Sequence, residues 1–192
     1  KGTVHTHVGF PFKAAQDLKY AFDFQKEDML CWITDMGWMM GPWMVFGGLL
    51  LGGTIVLYEG TPDYPRYDRL WELVEKHCIT HLGISPTVIR MLMSKGNQSI
   101  KKYDLPSLKV FGSSGEPWNE DPWIWLFEQI GKSRCQIINY SGGTEISGGI
   151  LSSFPGLPLA PCSFHGPIPG MVVDVVDEKG NSIKDEVGEL VI

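Results

Sequence analysis

Apolar positions follow two rhythms along this chain. Short, near-continuous apolar runs recur at Leu30-Cys31-Trp32-Ile33-Thr34, Thr54-Ile55-Val56-Leu57-Tyr58, Thr80-His81-Leu82-Gly83, Lys109-Val110-Phe111 and Gln136-Ile137-Ile138, as expected of strands covered on both faces. Between them the spacing is helical. In Tyr67 to His77, Leu70, Trp71, Leu73 and Val74 share one face, while Asp68, Arg69, Glu72, Glu75 and Lys76 face away. Pro86 to Met93 places proline near a helix start after Ser85, and Pro122 to Ile130 follows Glu120-Asp121, which can cap it. This alternation from about residue 28 to 140 predicts βαβ units. The fold class is α/β, a doubly wound and mostly parallel sheet with helices on both faces.

The longest apolar run, Trp38 to Gly53, is broken by Pro42, Gly41, Gly47 and Gly48 and falls short of the roughly 20 residues that span a bilayer. It predicts a buried helix and no integral membrane contact. After residue 150, Pro155, Pro158, Pro161, Pro167 and Pro169 crowd a short span. Met171 to Asp177 then reads as a strand, Asp177 to Asn181 as a turn, and a return strand follows. The chain therefore divides into an α/β core over 1–155 and the start of a β-rich subdomain over 156–192. It lacks an initial Met, and Gly188-Glu189-Leu190-Val191-Ile192 stops within a strand-like run, so both ends read as cut.

Composition narrows the classes. An apolar content of 43% over 192 residues supports a buried core and argues against disorder. A net charge of -6 without a Lys/Arg cluster gives no footprint for nucleic acid or an anionic membrane. Cys31, Cys78, Cys135 and Cys162 form no Cys-x-x-Cys pair and meet no His at metal-ligand spacing, which reads as reduced thiols in a cytoplasmic protein. His5, His7, His77, His81 and His165 accompany no Gly-x-Ser-x-Gly elbow and read as structural. Oligomeric state stays open.

Two segments carry candidate chemistry, each after a strand-like run. In Gly112-Ser113-Ser114-Gly115-Glu116-Pro117 a carboxylate stands among glycines that let backbone approach a ligand. A base or ribose edge fits there, and so does a plain loop leading into a helix. In Asn139-Tyr140-Ser141-Gly142-Gly143-Thr144-Glu145, backbone N–H groups can cradle phosphate oxygens, Thr144 can donate to them and Glu145 can hold Mg²⁺. The alternative is a glycine-rich turn with Thr144 as a helix cap. No Lys follows the glycines as in a Walker loop, and no Gly-x-Gly-x-x-Gly is present.

With Trp38 in Thr34-Asp35-Met36-Gly37-Trp38, Glu59-Gly60-Thr61-Pro62-Asp63-Tyr64-Pro65 and Ser85-Pro86-Thr87, these motifs resemble, in order and spacing, acyl-CoA synthetases of the adenylate-forming superfamily, especially the acetyl-CoA synthetase branch. Lys1-Gly2 before Val4-His5-Thr6 looks like the tail of that family's phosphate loop, and 188–192 like the strand before its ribose-binding Asp. The resemblance implies the central part of a large N-terminal domain. It also implies a reaction of two steps: a carboxylate attacks the α-phosphorus of ATP to give an acyl-adenylate, and coenzyme A then displaces AMP. By resemblance, Gly115, Glu116, Pro117 and Asn139, Tyr140, Ser141, Gly142, Gly143, Thr144 bind the nucleotide. Thr144, Glu145 and Lys1 are catalytic, Glu145 being the Mg²⁺ ligand. Trp38, Met39, Met40, Ser114 and Gly142 line the acyl pocket, and Asp63 touches coenzyme A.

Departures from the family pattern matter as much. Ser141 stands where the family commonly stacks an aromatic on adenine. Gly142 stands where the acetate branch closes its acyl pocket with Trp, so the expected substrate is a carboxylic acid larger than acetate. Met39 and Met40 suit an apolar acyl chain but equally suit core packing. The partners implied are the acid, ATP and coenzyme A, and the 192 residues alone are expected to be inactive. Two other readings stay open: an adenylation domain that loads a carrier protein, and a nucleotide-binding module without catalysis.

Overall fold

The computed structural model describes residues 2–98 and 100–192. Its main sheet has seven strands in the order β2-β1-β3-β4-β5-β6-β7. The first five, β1 (Met29–Trp32), β2 (Thr54–Val56), β3 (His81–Gly83), β4 (Val110–Ser113) and β5 (Gln136–Gly143), run parallel. β6 (Gly148–Ser152) and β7 (Gly166–Pro167) continue the sheet antiparallel. β8 (Asp174–Val176) and β9 (Glu189–Val191) form a separate antiparallel pair. The main sheet thus runs past the expected boundary at residue 155 as far as Pro167, because the return of β7 along β6 buries Ile168 against the core.

Period-two alternation along the strands divides the core into two layers. Leu30 and Trp32 of β1, Val110 of β4, and Ile138 and Tyr140 of β5 pack under α1 (Gly9–Ala21) and α2 (Met40–Leu50). Cys31, Phe111 and Ile137 face the other side, beneath α3 (Arg69–His77), α4 (Pro86–Met93) and α5 (Glu120–Trp125). α5 runs on through one π-helical turn, Leu126–Ile130. Helices on both faces make the sheet doubly wound, as the alternating elements predict.

Three local outcomes differ from the sequence pattern. α1 has no counterpart in the apolar rhythm, since its inward stripe of Phe10, Ala14, Asp17, Leu18 and Ala21 contains small residues and a carboxylate. Asp68 is buried, not solvent-facing, because Arg66, Lys102 and Tyr103 all converge on it. Residues 139–143, expected as a loop, are the last residues of β5, held by pairing to β6.

Strand order places a switch point between the second and third strands of the sheet. β1 connects outward to β2, whereas its other neighbour β3 leads on to β4 and β5, so the connections diverge between β1 and β3. Open α/β sheets bind ligands beyond the carboxyl ends of strands at such a point. The candidate residues lie along the same edge of the sheet, Ser114 to Pro117 after β4 and Asn139 to Glu145 at the end of β5, one and two strands from that point. Among the described residues no helix is long and apolar enough to cross a membrane.

Candidate active site

The chain leaves β4 through Ser114 and turns at Gly115, whose φ of 93° is costly for any residue with a Cβ. That turn delivers Glu116 to the start of α4. Its carboxylate accepts from the Thr87 backbone N–H (2.9 Å), the Thr87 hydroxyl (2.8 Å) and the Arg90 guanidinium (2.7 Å). Ser85 accepts from Val88 N–H at 3.3 Å, so side chains satisfy two N–H groups of the first turn. Burial pushes the Glu116 carboxyl up, but the Thr87 and Arg90 hydrogen bonds outweigh it and hold the group below the usual carboxylate range. Glu116, expected as a nucleotide contact, is therefore committed to the protein through its charge. It fixes the loop to the start of α4.

β5 supplies the facing wall. Asn139 is buried and donates through Nδ2 to Ser163 O at 3.3 Å, while its own carbonyl accepts from Ser153 N–H. Tyr140 does not face a ligand with its ring. It is 1% exposed in the α1/α2 core, and its hydroxyl donates to Asp17 at 2.6 Å. The strand pleat imposes this: with Ile138 inward on that face, Tyr140 must follow it. Beside Ser141, Tyr140 therefore offers no exposed ring face. At Gly142 the register slips by a bulge, and a Cβ would run into the Gly148 carbonyl and Gly149 Cα. Glycine is required at 142 by the close approach of β6, so the residue does more than omit a side chain from a pocket.

Beyond β5, Thr144–Ile146 form one 3₁₀ turn that ends at Ser147 with φ 65°. His5 clamps it at both ends. Its Nε2 lies 2.5 Å from Thr144 O and its Nδ1 2.9 Å from Ser147 Oγ. A carbonyl only accepts, so the proton sits on Nε2 and Nδ1 accepts from the hydroxyl. His5 is the site residue that sequence reasoning set aside. Its one signal is its place in the segment resembling a phosphate loop. Glu145 is exposed and has no ion pair among the described residues, with Oε2 turned toward Gly143. No three His, Cys, Asp or Glu side chains cluster as a metal cage among the described residues. A lone carboxylate fits Mg²⁺, which binds through one or two carboxylates plus substrate phosphates.

Three cavities adjoin these loops in series. One of about 310 Å³ is lined by Trp38, Met39, Met40, Ser114, Gly142 and Thr144, with Trp32 and Ser85 behind. All five residues expected at the acyl pocket meet there. A second, of about 400 Å³, lies against Gly115, Glu116, Pro117, Asn139, Ser141 and Phe164. It shares Gly115 and Gly142 with the first. A third, of about 350 Å³, runs between Phe10, Phe46, Trp38 and His5, and shares Trp38, Met39 and Thr144 with the first. Asp63 is half-buried in the loop after the edge strand β2 and lines none of the three. Lys1, expected as a phosphate-loop residue, lies outside the described residues.

Comparison with known proteins identifies the family. A family model described as AMP-binding enzyme matches residues 1–192. The acetyl-coenzyme A synthetase of Chlorobaculum tepidum is 39% identical over 100% of this chain and 30% of its own length. The acetyl-coenzyme A synthetase 2 of Candida albicans is 41% identical over 92% of this chain and 27% of its own. Among solved structures, the acetoacetyl-CoA synthetase from Streptomyces lividans superposes with a TM-score of 0.87 at 30% identity, covering 95% of this chain and 28% of that one. The chain spans less than a third of the length of these relatives. With its motifs at the carboxyl ends of a doubly wound sheet and the family match running from end to end, the chain belongs to the AMP-binding enzymes, within reach of the acetyl- and acetoacetyl-CoA synthetases.

Proposed function

We propose that the intact protein is an ATP-dependent, AMP-forming acyl-CoA synthetase whose acid is larger than acetate. The supporting observation is the series of three cavities, which meet at Gly115 and Gly142 on one side and at Trp38, Met39 and Thr144 on the other. Three substrates fit that order. The nucleoside takes the cavity beside Glu116 and Pro117, the acid the central one, and the thiol enters past Trp38.

In this reading the α-phosphoryl group sits near Thr144, where the central cavity begins. A carboxylate oxygen of the acid attacks phosphorus, the bond to pyrophosphate breaks, and an acyl-adenylate forms. No protein nucleophile is needed, because positioning and charge stabilisation dominate such transfers. Thr144 donates its hydroxyl to an α-phosphate oxygen, and His5 holds the turn that carries it. Bound at Glu145, Mg²⁺ would neutralise phosphate charge. The coenzyme A thiol then attacks the acyl carbonyl and AMP leaves. Asp63 would meet only a part of coenzyme A remote from the thiol.

Size supports the choice of acid. A cavity of about 310 Å³ holds on the order of ten water-sized groups at ~30 Å³ each, far more than acetate fills. Its walls combine Trp38 and two methionines with a polar part made by Ser85, Ser114 and Thr144. The Streptomyces lividans relative is named for acetoacetate, the curated relatives for acetate. Cytoplasmic placement belongs to the same reading, supported by four free cysteines, two of them exposed. Acid-dependent ATP–pyrophosphate exchange by the full-length protein tests it. A larger acid should exceed acetate by about tenfold or more in kcat/KM, the scale of a few methylenes in an apolar pocket. Preference for acetate would overturn the substrate, and exchange with no acid would overturn the reaction.

A further inference from the structure

The cavity beside Gly115 to Trp118 has the features of a slot for a flat, uncharged ring. Its one charged wall residue, Glu116, turns its carboxylate to Thr87 and Arg90. Three aromatic residues line it, but only one offers a ring surface. Trp118 is 7% exposed and Tyr140 1%, whereas Phe164 is 38% exposed. Phe164 pairs with no other ring among the described residues.

The loop carrying Phe164 is braced, not loose. Ser163 O accepts from both Asn139 Nδ2 (3.3 Å) and Ser153 Oγ (3.2 Å), and Ser163 Oγ donates to Ala160 O (2.9 Å). On the other side, His165 donates its backbone N–H to Ser152 O, accepts at Nδ1 from Phe154 N–H (2.8 Å) and donates from Nε2 to Pro158 O (2.9 Å). Phe164 sits between two anchored neighbours at the mouth of the slot. The buried Asn139 of β5 thereby sets the position of a ring 25 positions along the chain. An exposed aromatic on a backbone braced at both neighbours suits stacking, since that backbone is ordered before the ligand arrives.

We propose that Phe164 is the residue against which the nucleotide's base stacks, and that Asn139 is the positioning residue that holds it there. The assignment rests on the nucleoside occupying this cavity in the reading above. It gives the chain an aromatic face for the base where Ser141 supplies none and Tyr140 is turned away.

Direct titration of the full-length protein with ATP, alongside acid-dependent exchange, tests it. Phe164→Ala should weaken ATP binding about tenfold, the range of one base–aromatic stack, with KM for the acid and the Tm little changed. Phe164→Trp should restore binding and Phe164→Leu should not. Asn139→Ala should weaken ATP in the same direction, and the double variant should fall short of the product of the two single effects, as coupled residues do. Unchanged ATP affinity in Phe164→Ala would overturn the proposal, as would full additivity. If the wild type binds ATP but exchanges with no acid, the synthetase reading fails while the ATP titrations still judge Phe164. If it binds no ATP, both fall.

Discussion

The phenol of Tyr140 donates to the Asp17 carboxylate at 2.6 Å in the interior, where Asp17 also accepts from Lys13 Nζ at 2.7 Å and Gly149 N–H at 2.9 Å. One buried carboxylate thus ties α1 to both β5 and β6, directly behind the strand end that carries Thr144. Burial pushes the Tyr140 phenol far above its ordinary range, and the charge of Asp17 adds to this. Tyr140 is accordingly a neutral donor at every working pH.

Removing that donor should cost stability without touching the nucleotide. Tyr140→Phe should lose about 1–3 kcal/mol in urea unfolding, the cost of one unmade buried hydrogen bond. Asp17→Ala should lose about 3–5 kcal/mol, since it strands the Lys13 charge. ATP affinity of Tyr140→Phe should stay within about twofold of wild type. A large drop in ATP affinity with unaltered unfolding would mean that the ring faces the ligand after all.

Acid should destabilise the fold in two stages. His81 is buried, donates from Nε2 to Phe22 O and receives Thr80 Oγ1 at Nδ1. Burial lowers its pKa below the usual 6.5, against the opposing pull of the Phe22 carbonyl and Asp28. At Asp28 burial works to raise the pKa, but Lys109 and the Gln25 N–H outweigh it and hold the carboxyl low. Both folded values lie below the unfolded ones, so the unfolded chain takes up protons first and stability falls with pH. The histidine contribution is complete above about pH 6.5 and declines below it. That of Asp28 follows in the carboxylate range. Melting temperatures between pH 7.5 and 4 should show this, and His81→Gln should flatten the first stage. An identical profile in that variant would remove His81 from the account.

Gly142→Trp discriminates between two explanations of the same glycine. If 142 merely omits a pocket wall, the variant should turn toward acetate. The Gly148 carbonyl and Gly149 Cα stand where its Cβ would go, so we expect lost stability, by about 1–3 kcal/mol or more as in other overpacked sites, and reduced activity with every acid. A stable variant that prefers acetate would show that β6 yields easily.

Glu145→Gln should leave the fold intact, because the side chain is exposed and makes no ion pair among the described residues. Exchange should fall by about 100-fold or more at fixed Mg²⁺, the scale of losing one charge-stabilising group. Full activity at low Mg²⁺ in this variant would remove the metal assignment.

What was legible in the chain follows from which forces act locally. The parallel strands announce themselves because burial on both faces demands unbroken apolar runs such as Leu30-Cys31-Trp32 and Ile137-Ile138. α1 hides because Asp17 occupies its inward stripe, and that polarity makes sense only once Tyr140 and Gly149 are known to meet it. β6 hides as well: Gly148-Gly149-Ile150-Leu151-Ser152 has no alternation and owes its pairing to close backbone approach. Of the site, the glycines and Thr144-Glu145 were readable as residue types. The direction in which side chains point was not. Tyr140 turns inward by the pleat, Glu116 is claimed by α4, and His5 reaches Thr144 across 139 positions. Each depends on contacts distant in sequence.

The most direct measurement is a structure of the full-length protein with a non-hydrolysable acyl-adenylate analogue. The account requires the base between Pro117 and Phe164, the phosphate mimic beside Thr144, and the acyl group in the cavity of Trp38, Met39 and Met40. An adenosine bound elsewhere, or an acyl group outside that cavity, would contradict it.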